Sequence, residues 1–319
     1  MKNLNAALSV TGLTKTYGRR RALDALTLAL PRHALIGLVG ANGAGKTTFM
    51  LTVAGFLRPD AGEIDLLGDG PFDAAVHSGR FAILPQDSAL PDTAHPRELL
   101  TQYGCLQGLP RAAAIAAAHD ILKSVHLGDR MDASVRSLSH GMRKRVMIAQ
   151  CFIGFPELVF LDEPLNGLDP VEIVRMRHFI AGRKGRQTVL ISSHNLHDIE
   201  QLCDYVAFMD HGKLTRFASI DEIIGKHNTL VYRLAHPLAD TAALAAALPP
   251  SITLSAEGTD VRCHYLASSH APEQVNALVI PLLLQHGGLV SITQGNRLEE
   301  EYLKLSTQID LSRLKSTTK

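Results

Sequence analysis

Residues 40–47 read GANGAGKT and fit the spacing G-x-x-x-x-G-K-[ST]. The glycines allow a tight turn whose successive N–H groups can point at phosphate oxygens, and the following helix start adds a partial positive charge. Lys46 can then reach the β- and γ-phosphates, and the Thr47 hydroxyl can bind Mg²⁺, which prefers oxygen ligands. An apolar run precedes the loop and a helical pattern follows it, which favours a phosphate site over a chance glycine-rich turn. The residues predicted to surround the phosphates are Gly40, Ala41, Asn42, Gly43, Ala44, Gly45, Lys46, Thr47 and Thr48.

Two carboxylates end the apolar segment LVFLDE, residues 158–163. Burying ionised Asp162 and Glu163 is costly, so the pair requires a compensating partner. A Mg²⁺ at the phosphate loop supplies one, because Asp162 can support the metal directly or through water. Glu163 projects differently as the next residue and can contact an attacking water. Without the phosphate loop, a strand running into a capped turn at Pro164 would be the better interpretation.

Two further polar residues follow apolar runs. Gln86 ends FAILPQ and His194 ends TVLISSH. In a parallel α/β sheet, ligands gather at the carboxyl ends of the strands, so both residues are expected at the same edge as the phosphate loop. Either residue alone would more often be an ordinary loop residue, and their shared placement is what favours a role in the site.

The elements that must position these residues alternate between buried strands and helices. This order predicts an α/β fold with a parallel sheet covered on both faces. Residues from about 87 to 137 are rich in alanine and leucine without a strand pattern, and they predict a helical insertion. The predicted strands of the sheet are 33–40, 81–87, 158–163 and 188–194.

The pattern changes after residue 227. Segments alternate in the order β-α-β-β-α-β, which matches the ferredoxin-like split βαβ arrangement, and an amphipathic helix at 297–305 closes it. We therefore expect a nucleotide-binding domain at 1–225, a ferredoxin-like accessory domain at 226–312 and a flexible tail at 313–319.

Composition limits the possible classes of protein. The 319 residues are 46% hydrophobic and 20% charged with a net charge of +1, as in an ordinary globular protein, and no nucleic-acid partner is expected. The four cysteines contain no C-x-x-C pair, which fits a reduced compartment. The first residues lack a signal-peptide core, and the apolar stretch 277–284 is too short to span a bilayer, so the chain is expected to be soluble by itself. Fifteen histidines form no further metal-site pattern.

The motifs and their order resemble the nucleotide-binding subunit of an ABC transporter over about residues 4–225. Tyr17 in LTKTYG is similar to the aromatic residue that stacks on adenine, and Gln86 to the glutamine loop. LSHGM, residues 138–142, stands where the family has LSGGQ, and LNGLDP, residues 165–170, is similar to the D-loop with Asp169. His194 is similar to the switch histidine that senses the γ-phosphate.

This resemblance implies a P-loop NTPase with a RecA-like core, an antiparallel β subdomain and a helical insertion. It implies ATP and Mg²⁺ as cofactors, with Mg²⁺ held by Thr47, Gln86 and Asp162. Glu163, His194, Gln86 and Lys46 would act in hydrolysis. Ser139 and Gly141 would bind the γ-phosphate held by a second copy of the chain, in a homodimer that sandwiches two ATP molecules. His140 and Met142 depart from the family pattern, and His140 fits only if its backbone does not need a positive φ.

The segment NRLEEEYLKL, 296–305, resembles the closing segment of ATPase subunits paired with ABC-2 type exporters. That resemblance implies an integral membrane permease as partner, export as direction, and a place at the cytoplasmic face of the cell membrane. Two other classes stay open from the sequence: a soluble ABC-type ATPase acting on the ribosome or DNA, and a non-hydrolysing regulatory module.

Overall fold

The computed structural model describes residues 6–224, 227–238, 242–266, 269–285, 288–295, 298 and 302. The chain divides into two compact units, Met1–Ala218 and Ser219–Lys319. The predicted tail, 313–319, and most of the predicted closing helix, 297–305, lie outside the described residues.

The first unit alternates strands and helices along most of its length. Its strands are β1 (Ala6–Tyr17), β2 (Arg20–Pro31), β3 (Leu35–Val39), β4 (Ala61–Leu66), β5 (Phe81–Leu84), β6 (Leu158–Asp162), β7 (Thr188–Ser193), β8 (Tyr205–Asp210) and β9 (Lys213–Ser219). Its helices are α1 (Lys46–Val53), α2 (Ala74–His77), α3 (Pro96–Leu106), α4 (Arg111–Ser124), α5 (His140–Gln150), α6 (Pro170–Ala181) and α7 (Leu196–Leu202).

A six-stranded sheet forms the centre of this unit, in the order β5-β6-β7-β3-β8-β9. The pairs β5–β6, β6–β7, β7–β3 and β3–β8 are parallel. Every residue of β3, β6 and β7 is buried, as expected for strands covered on both faces. The four predicted strands and their parallel arrangement are confirmed, and the carboxyl ends of β3, β5, β6 and β7 meet at one edge.

A second, antiparallel sheet packs on the phosphate-loop side of the core, with strand order β2-β1-β4. Leu8, Leu28 and other inward residues of this sheet share one hydrophobic cluster with Phe49 of α1 and Phe160 of β6. The antiparallel sheet is therefore fixed to the helix that carries the phosphate loop.

The helical insertion is confirmed: residues 87–137 contain α3, α4 and two short 3₁₀ turns, and no strand. Arg145 of α5 attaches this insertion to the rest of the unit. Its Nη1 donates hydrogen bonds to the carbonyl oxygens of Val125 at 2.8 Å and His126 at 3.1 Å, at the end of α4. Its Nε lies 2.9 Å from Oε2 of Glu172, in α6, so one buried guanidinium joins three segments.

The second unit has its own core. Its elements are α8 (Ile220–Ile224), β10 (His227–Leu234), α9 (Ala242–Ala246), β11 (Ile252–Glu257), β12 (Asp260–Leu266), α10 (Pro272–Leu284) and β13 (Leu289–Gln294). The four strands form one antiparallel sheet in the order β11-β12-β10-β13. Tyr232 and Tyr265 are buried with Val275 and Val279 of α10. None of the described helices, in either unit, is long and apolar enough to cross a membrane.

Candidate active site

A cavity of about 460 Å³ lies at the carboxyl ends of β3, β5, β6 and β7. It brings together side chains from five separate parts of the sequence, including both predicted carboxylates. The lining residues are Tyr17, Arg20, Ala22, Asn42, Gly43, Gly45, Lys46, Thr47, Thr48, Gln86, Asp162, Glu163, Asn166 and His194. The predicted loop residues Gly40, Ala41 and Ala44 complete the turn between β3 and α1.

The turn between β3 and α1 depends on glycine at two positions. Gly43 and Gly45 have φ angles of 80° and 106°, which L side chains rarely adopt. A Cβ on Gly45 would also lie 2.4 Å from the carbonyl oxygen of Ala22, in β2. The loop therefore closes against the antiparallel sheet, and α1 starts directly at Lys46.

The turn between β8 and β9 also contacts the loop, next to β2. The N–H of Gly212 donates to the carbonyl of Ala44 at 2.8 Å, and the N–H of Asp24 donates to the carbonyl of Gly212 at 2.9 Å. Gly212 has a φ of 78°, and a Cβ there would lie 2.6 Å from the Ala22 carbonyl oxygen. Three segments of the chain thus meet at this residue.

Lys46 is buried at the floor of the loop. Its Nζ donates a hydrogen bond to the carbonyl of Gly40 at 2.6 Å. Burial lowers the pKa of the Lys46 ammonium, although the charges of Glu163 and Asp162 oppose that shift. An anionic ligand would compensate the charge, as expected for a lysine that binds phosphate.

Asp162 ends β6 beside the loop. The Thr47 hydroxyl donates to Oδ2 of Asp162 at 2.6 Å, and the hydroxyl of Ser192 donates to Oδ1. The Asp162 carboxylate, the Thr47 hydroxyl and the Gln86 amide all line this cavity, and each carries an oxygen atom that can bind a metal ion. This donor set fits Mg²⁺, which takes oxygen ligands.

Glu163 has an unusual backbone for a non-glycine residue, with a φ of 48°. Its N–H donates to the Ser192 hydroxyl at 2.9 Å, and its Oε2 lies 3.0 Å from Nδ1 of His194. Strained backbones of this kind concentrate at functional sites. The turn aims the Glu163 side chain into the cavity, next to the more exposed imidazole of His194.

Ser139, Gly141 and Asp169, which were predicted to bind nucleotide, do not line this cavity. Ser139 caps α5, accepting a hydrogen bond from the N–H of Met142 at 3.2 Å, and Asp169 caps α6, accepting one from the N–H of Glu172 at 2.9 Å. The nucleotide roles of all three stay predictions.

His140 is not among the residues with positive φ, so the condition for a histidine in the LSHGM segment is met. Its imidazole lies next to the D-loop, where a Cβ on Gly167 would be 3.2 Å from Nε2. The substitution is therefore compatible with a helix that begins at this residue.

Sequence reasoning missed Arg20, Asn166 and Lys144. Arg20 and Asn166 line the cavity, and Lys144 is a buried lysine of α5 whose ammonium interacts electrostatically with Asp162 and Glu163. Asn166 stands in LNGLDP, so the motif itself could have indicated it. Arg20 and Lys144 belong to the short basic runs 19–21 and 143–145, which the sequence left open as solvated surface or, by the family resemblance, as a phosphate-facing patch.

The comparisons with known proteins agree with this geometry. Residues 23–166 match the family model described as ABC transporter. The daunorubicin resistance ATP-binding protein DrrA3 of Streptomyces coeruleorubidus is 36% identical over 223 residues, which cover 69% of this chain and 70% of that protein. The bacitracin transport ATP-binding protein BcrA of Bacillus licheniformis is 33% identical over 226 residues, covering 69% and 72%.

A solved structure described as an ATP-binding subunit of an ABC transporter superposes with a TM-score of 0.62 at 27% identity, covering 68% of this chain and 92% of that chain. The fold and the cavity define a P-loop ATPase of the ATP-binding cassette class. The chain belongs to the ABC transporter family, as an ATP-binding and ATP-hydrolysing subunit. These findings support the transport interpretation over action on the ribosome or DNA and over a non-hydrolysing module.

Proposed function

We propose that two copies of this chain close around two ATP molecules and thereby drive a separate membrane permease. The observation that carries this proposal is the position of residues 138–142. The capped start of α5 lies outside the cavity that holds the phosphate loop of the same chain. An N-terminal helix turn with a serine hydroxyl suits an anion, and the anion it would serve is the γ-phosphate held by the second copy.

Within each copy, the roles follow from the cavity. Lys46 and the N–H groups of the loop bind the phosphates, while Tyr17, half exposed at the end of β1, stacks on the base. Glu163 orients the attacking water and accepts its proton, and His194, 3.0 Å away, stabilises the transferred phosphoryl group. Thr47, Asp162 and Gln86 would hold Mg²⁺, which supplies charge neutralisation on the phosphates when bound.

The second copy would complete each site. Ser139 and Gly141 donate to the γ-phosphate across a two-fold axis, and Asp169 lies at the same interface. Binding of ATP closes the dimer because the γ-phosphate bridges both copies, and hydrolysis removes that bridge. Closure then moves the permease, docked near Gln86 and the helical insertion.

The direction of transport is export. DrrA3 is named a daunorubicin resistance protein and BcrA a bacitracin transport protein. The segment 296–305 also resembles the closing segment of ATPase subunits of ABC-2 type exporters. The strand order of the second unit, β11-β12-β10-β13, together with two intervening helices, supports a ferredoxin-like accessory domain. The subunit would sit at the cytoplasmic face of the membrane through its permease.

The test is the solution mass of Glu163→Gln with and without MgATP, beside the same variant carrying Ser139→Arg. We expect an ATP-dependent dimer for the first and a monomer for the second, because bulk and charge at Ser139 block the shared phosphate. A dimer that survives Ser139→Arg would exclude this interface. If neither protein dimerises, the measurement is repeated after copurification with the permease, and a monomeric subunit there would reject the mechanism.

The transport role is tested separately by affinity purification of the tagged chain from detergent-solubilised membranes. Recovery of a polytopic membrane protein in fixed ratio supports the proposal. Recovery of ribosomes or DNA in its place would favour the non-transport alternative.

A further inference from the structure

Arg20 lies directly opposite Tyr17 in the hairpin formed by β1 and β2. The two residues pair across the two-residue turn Gly18–Arg19. Side chains of directly paired residues in an antiparallel ladder point to the same face. The guanidinium of Arg20 and the ring of Tyr17 therefore project together, and both line the nucleotide cavity.

Arg20 also reaches the phosphate loop. Its Nη2 donates a hydrogen bond to the carbonyl of Gly43 at 2.9 Å. A Cβ on Gly43 would lie 2.8 Å from that nitrogen, so the approach depends on the glycine. One cation thus spans the distance from the base-stacking ring to the loop whose N–H groups face the phosphates.

The neighbouring arginines are placed differently. Arg21 forms an ion pair with Asp24 at 2.8 Å, and Arg19 occupies the turn and does not line the cavity. Arg20 and Lys46 are the two cationic side chains of the cavity lining. Lys46 emerges from α1 at the floor of the loop, while Arg20 approaches from the base side.

The contact with Gly43 uses only one of the five N–H groups that a guanidinium carries. The others can donate to phosphate oxygens when nucleotide is bound, in the bidentate geometry for which arginine is suited. The groups expected at the γ-phosphate, Glu163 and His194, come from the ends of β6 and β7 instead. Arg20 reaches the loop from the side of Tyr17, where the base is expected, so the phosphates nearest to it are the α- and β-phosphates.

We infer that Arg20 is a further ATP-positioning residue, which binds the α- and β-phosphates of ATP and ADP and leaves the chemical step to the other residues. A residue of this kind strengthens binding of the ground state and the transition state equally. Its loss therefore raises KM for ATP and leaves kcat unchanged.

The experiment measures MgADP affinity by titration calorimetry on the full chain. Four proteins are compared: wild type, Arg20→Gln, Arg20→Lys and the adjacent control Arg19→Gln. The side chains of glutamine and lysine both end short of the position of Arg20 Nη2, so both variants weaken the contact with the Gly43 carbonyl, and only lysine keeps the charge. Thermal unfolding without nucleotide checks that each variant is folded.

We expect Arg20→Gln to weaken MgADP binding by about five- to tenfold, as for loss of a partly exposed charge-assisted hydrogen bond. The Kd should also become less dependent on salt. Arg20→Lys should lose less affinity, and Arg19→Gln should match wild type. In steady-state ATPase assays, KM for ATP should rise by a similar factor in Arg20→Gln with kcat within about twofold of wild type.

Three results would overturn the inference. Wild-type affinity in Arg20→Gln would mean that the charge makes no contact with the phosphates. Equal losses in the glutamine and lysine variants would assign Arg20 to bracing the loop through Gly43. An equal loss in Arg19→Gln would assign the effect to the general positive field of residues 19–21.

Discussion

The Nδ1 atom of His194 lies 3.0 Å from Oε2 of Glu163, although 31 residues separate them in the chain. His194 directly follows β7 and Glu163 directly follows β6, and these two strands are neighbours in the parallel sheet. The contact therefore arises from strand order. It joins the group expected to orient water with the group expected to stabilise the transferred phosphoryl group.

From this contact we predict that Glu163→Gln lowers kcat for ATP hydrolysis by at least about 100-fold, because a glutamine cannot accept the proton of the attacking water. His194→Ala should lower kcat to a similar extent through the loss of transition-state stabilisation. MgADP affinity should change little in both variants, since both groups are expected at the γ-phosphate, which ADP lacks. Hydrolysis at the wild-type rate in Glu163→Gln would contradict the assignment of the base.

The hydrogen bond of 2.6 Å between the Thr47 hydroxyl and Asp162 leads to a prediction about Mg²⁺. Asp162→Asn removes the charge and puts an NH2 group in the place of one of the two carboxylate oxygens, so one of the Thr47 and Ser192 hydroxyls loses its acceptor. We expect the free energy of unfolding to fall by about 1–3 kcal/mol. ATP affinity measured in EDTA should be retained, whereas addition of Mg²⁺ should no longer strengthen it. Normal strengthening by Mg²⁺ would exclude Asp162 as a metal-supporting residue.

Substitutions at two glycines, Gly141 and Gly37, should affect dimerisation and folding stability separately. A Cβ on Gly141 would meet Leu168 Cδ2 at 3.6 Å, an ordinary contact, whereas a Cβ on Gly37 in β3 would lie 2.3 Å from Cγ2 of Ile199. Gly141→Asp should therefore fold with a free energy of unfolding within about 1 kcal/mol of wild type, because the favourable position of an acid at a helix start offsets its repulsion from Glu172, which is paired with Arg145 and Arg175. Its charge should repel the partner's phosphate and abolish the ATP-dependent dimer of the Glu163→Gln background.

The matched variant Gly37→Ala should behave in the opposite way. Overpacking against Ile199 should destabilise the folded chain by about 1–3 kcal/mol. At a temperature where it stays folded, the dimer should still form with ATP. Denaturant unfolding and light scattering measure the two properties, and a dimer from Gly141→Asp would contradict the proposed interface.

Lys144 gives a prediction about pH. Burial lowers the pKa of its ammonium from the ordinary value of 10.5, while Asp162 and Glu163 oppose the shift. Between the folded and the unfolded pKa, the unfolded chain binds more protons, so the stability of wild type rises with pH in that window. Lys144→Met removes this dependence, and its Tm should exceed that of wild type most at neutral pH. The difference should shrink as pH approaches 10.

The measurement uses nucleotide-free protein in EDTA, so that no ligand changes the charges around Lys144. Lys123→Met, which removes an exposed lysine of α4, serves as the control and should follow wild type at every pH. A constant difference in Tm between wild type and Lys144→Met would show that the ammonium keeps its ordinary pKa.

Much of the parallel sheet could be predicted because its strands are short apolar runs that end in polar or glycine residues. The positions of Gln86, Asp162, Glu163 and His194 follow from that pattern, since carboxyl ends of parallel strands share one edge. The strands β8 and β9 were not among the predicted strands. YVAFMD has the same form, an apolar run that ends in aspartate, and could have been assigned from that pattern, whereas KLTRFAS mixes polar and apolar residues.

Contacts that depend on chain segments far apart in sequence could not be predicted in the same way. Arg20 stands in a basic run that is typical of a solvated turn, and only the closure of the hairpin onto Gly43 brings it to the cavity. Lys144 stands among three consecutive basic residues near the start of α5, and the fold alone decides that Lys144 and Arg145 are buried and Arg143 is not. The backbone turn at Glu163 likewise has no local sequence pattern, as glutamate does not favour positive φ.

The short turn at Gly212 has a consequence for engineering. Tight turns between strands at a protein surface are usual places for tags, reporter domains or new chain termini. The turn at Gly212 is not free, because both the N–H and the carbonyl of Gly212 form backbone hydrogen bonds, to Ala44 and Asp24, and there is no space for a side chain. An insertion there could preserve the pairing of β8 with β9, but it would remove the backbone contacts that hold the phosphate loop in place.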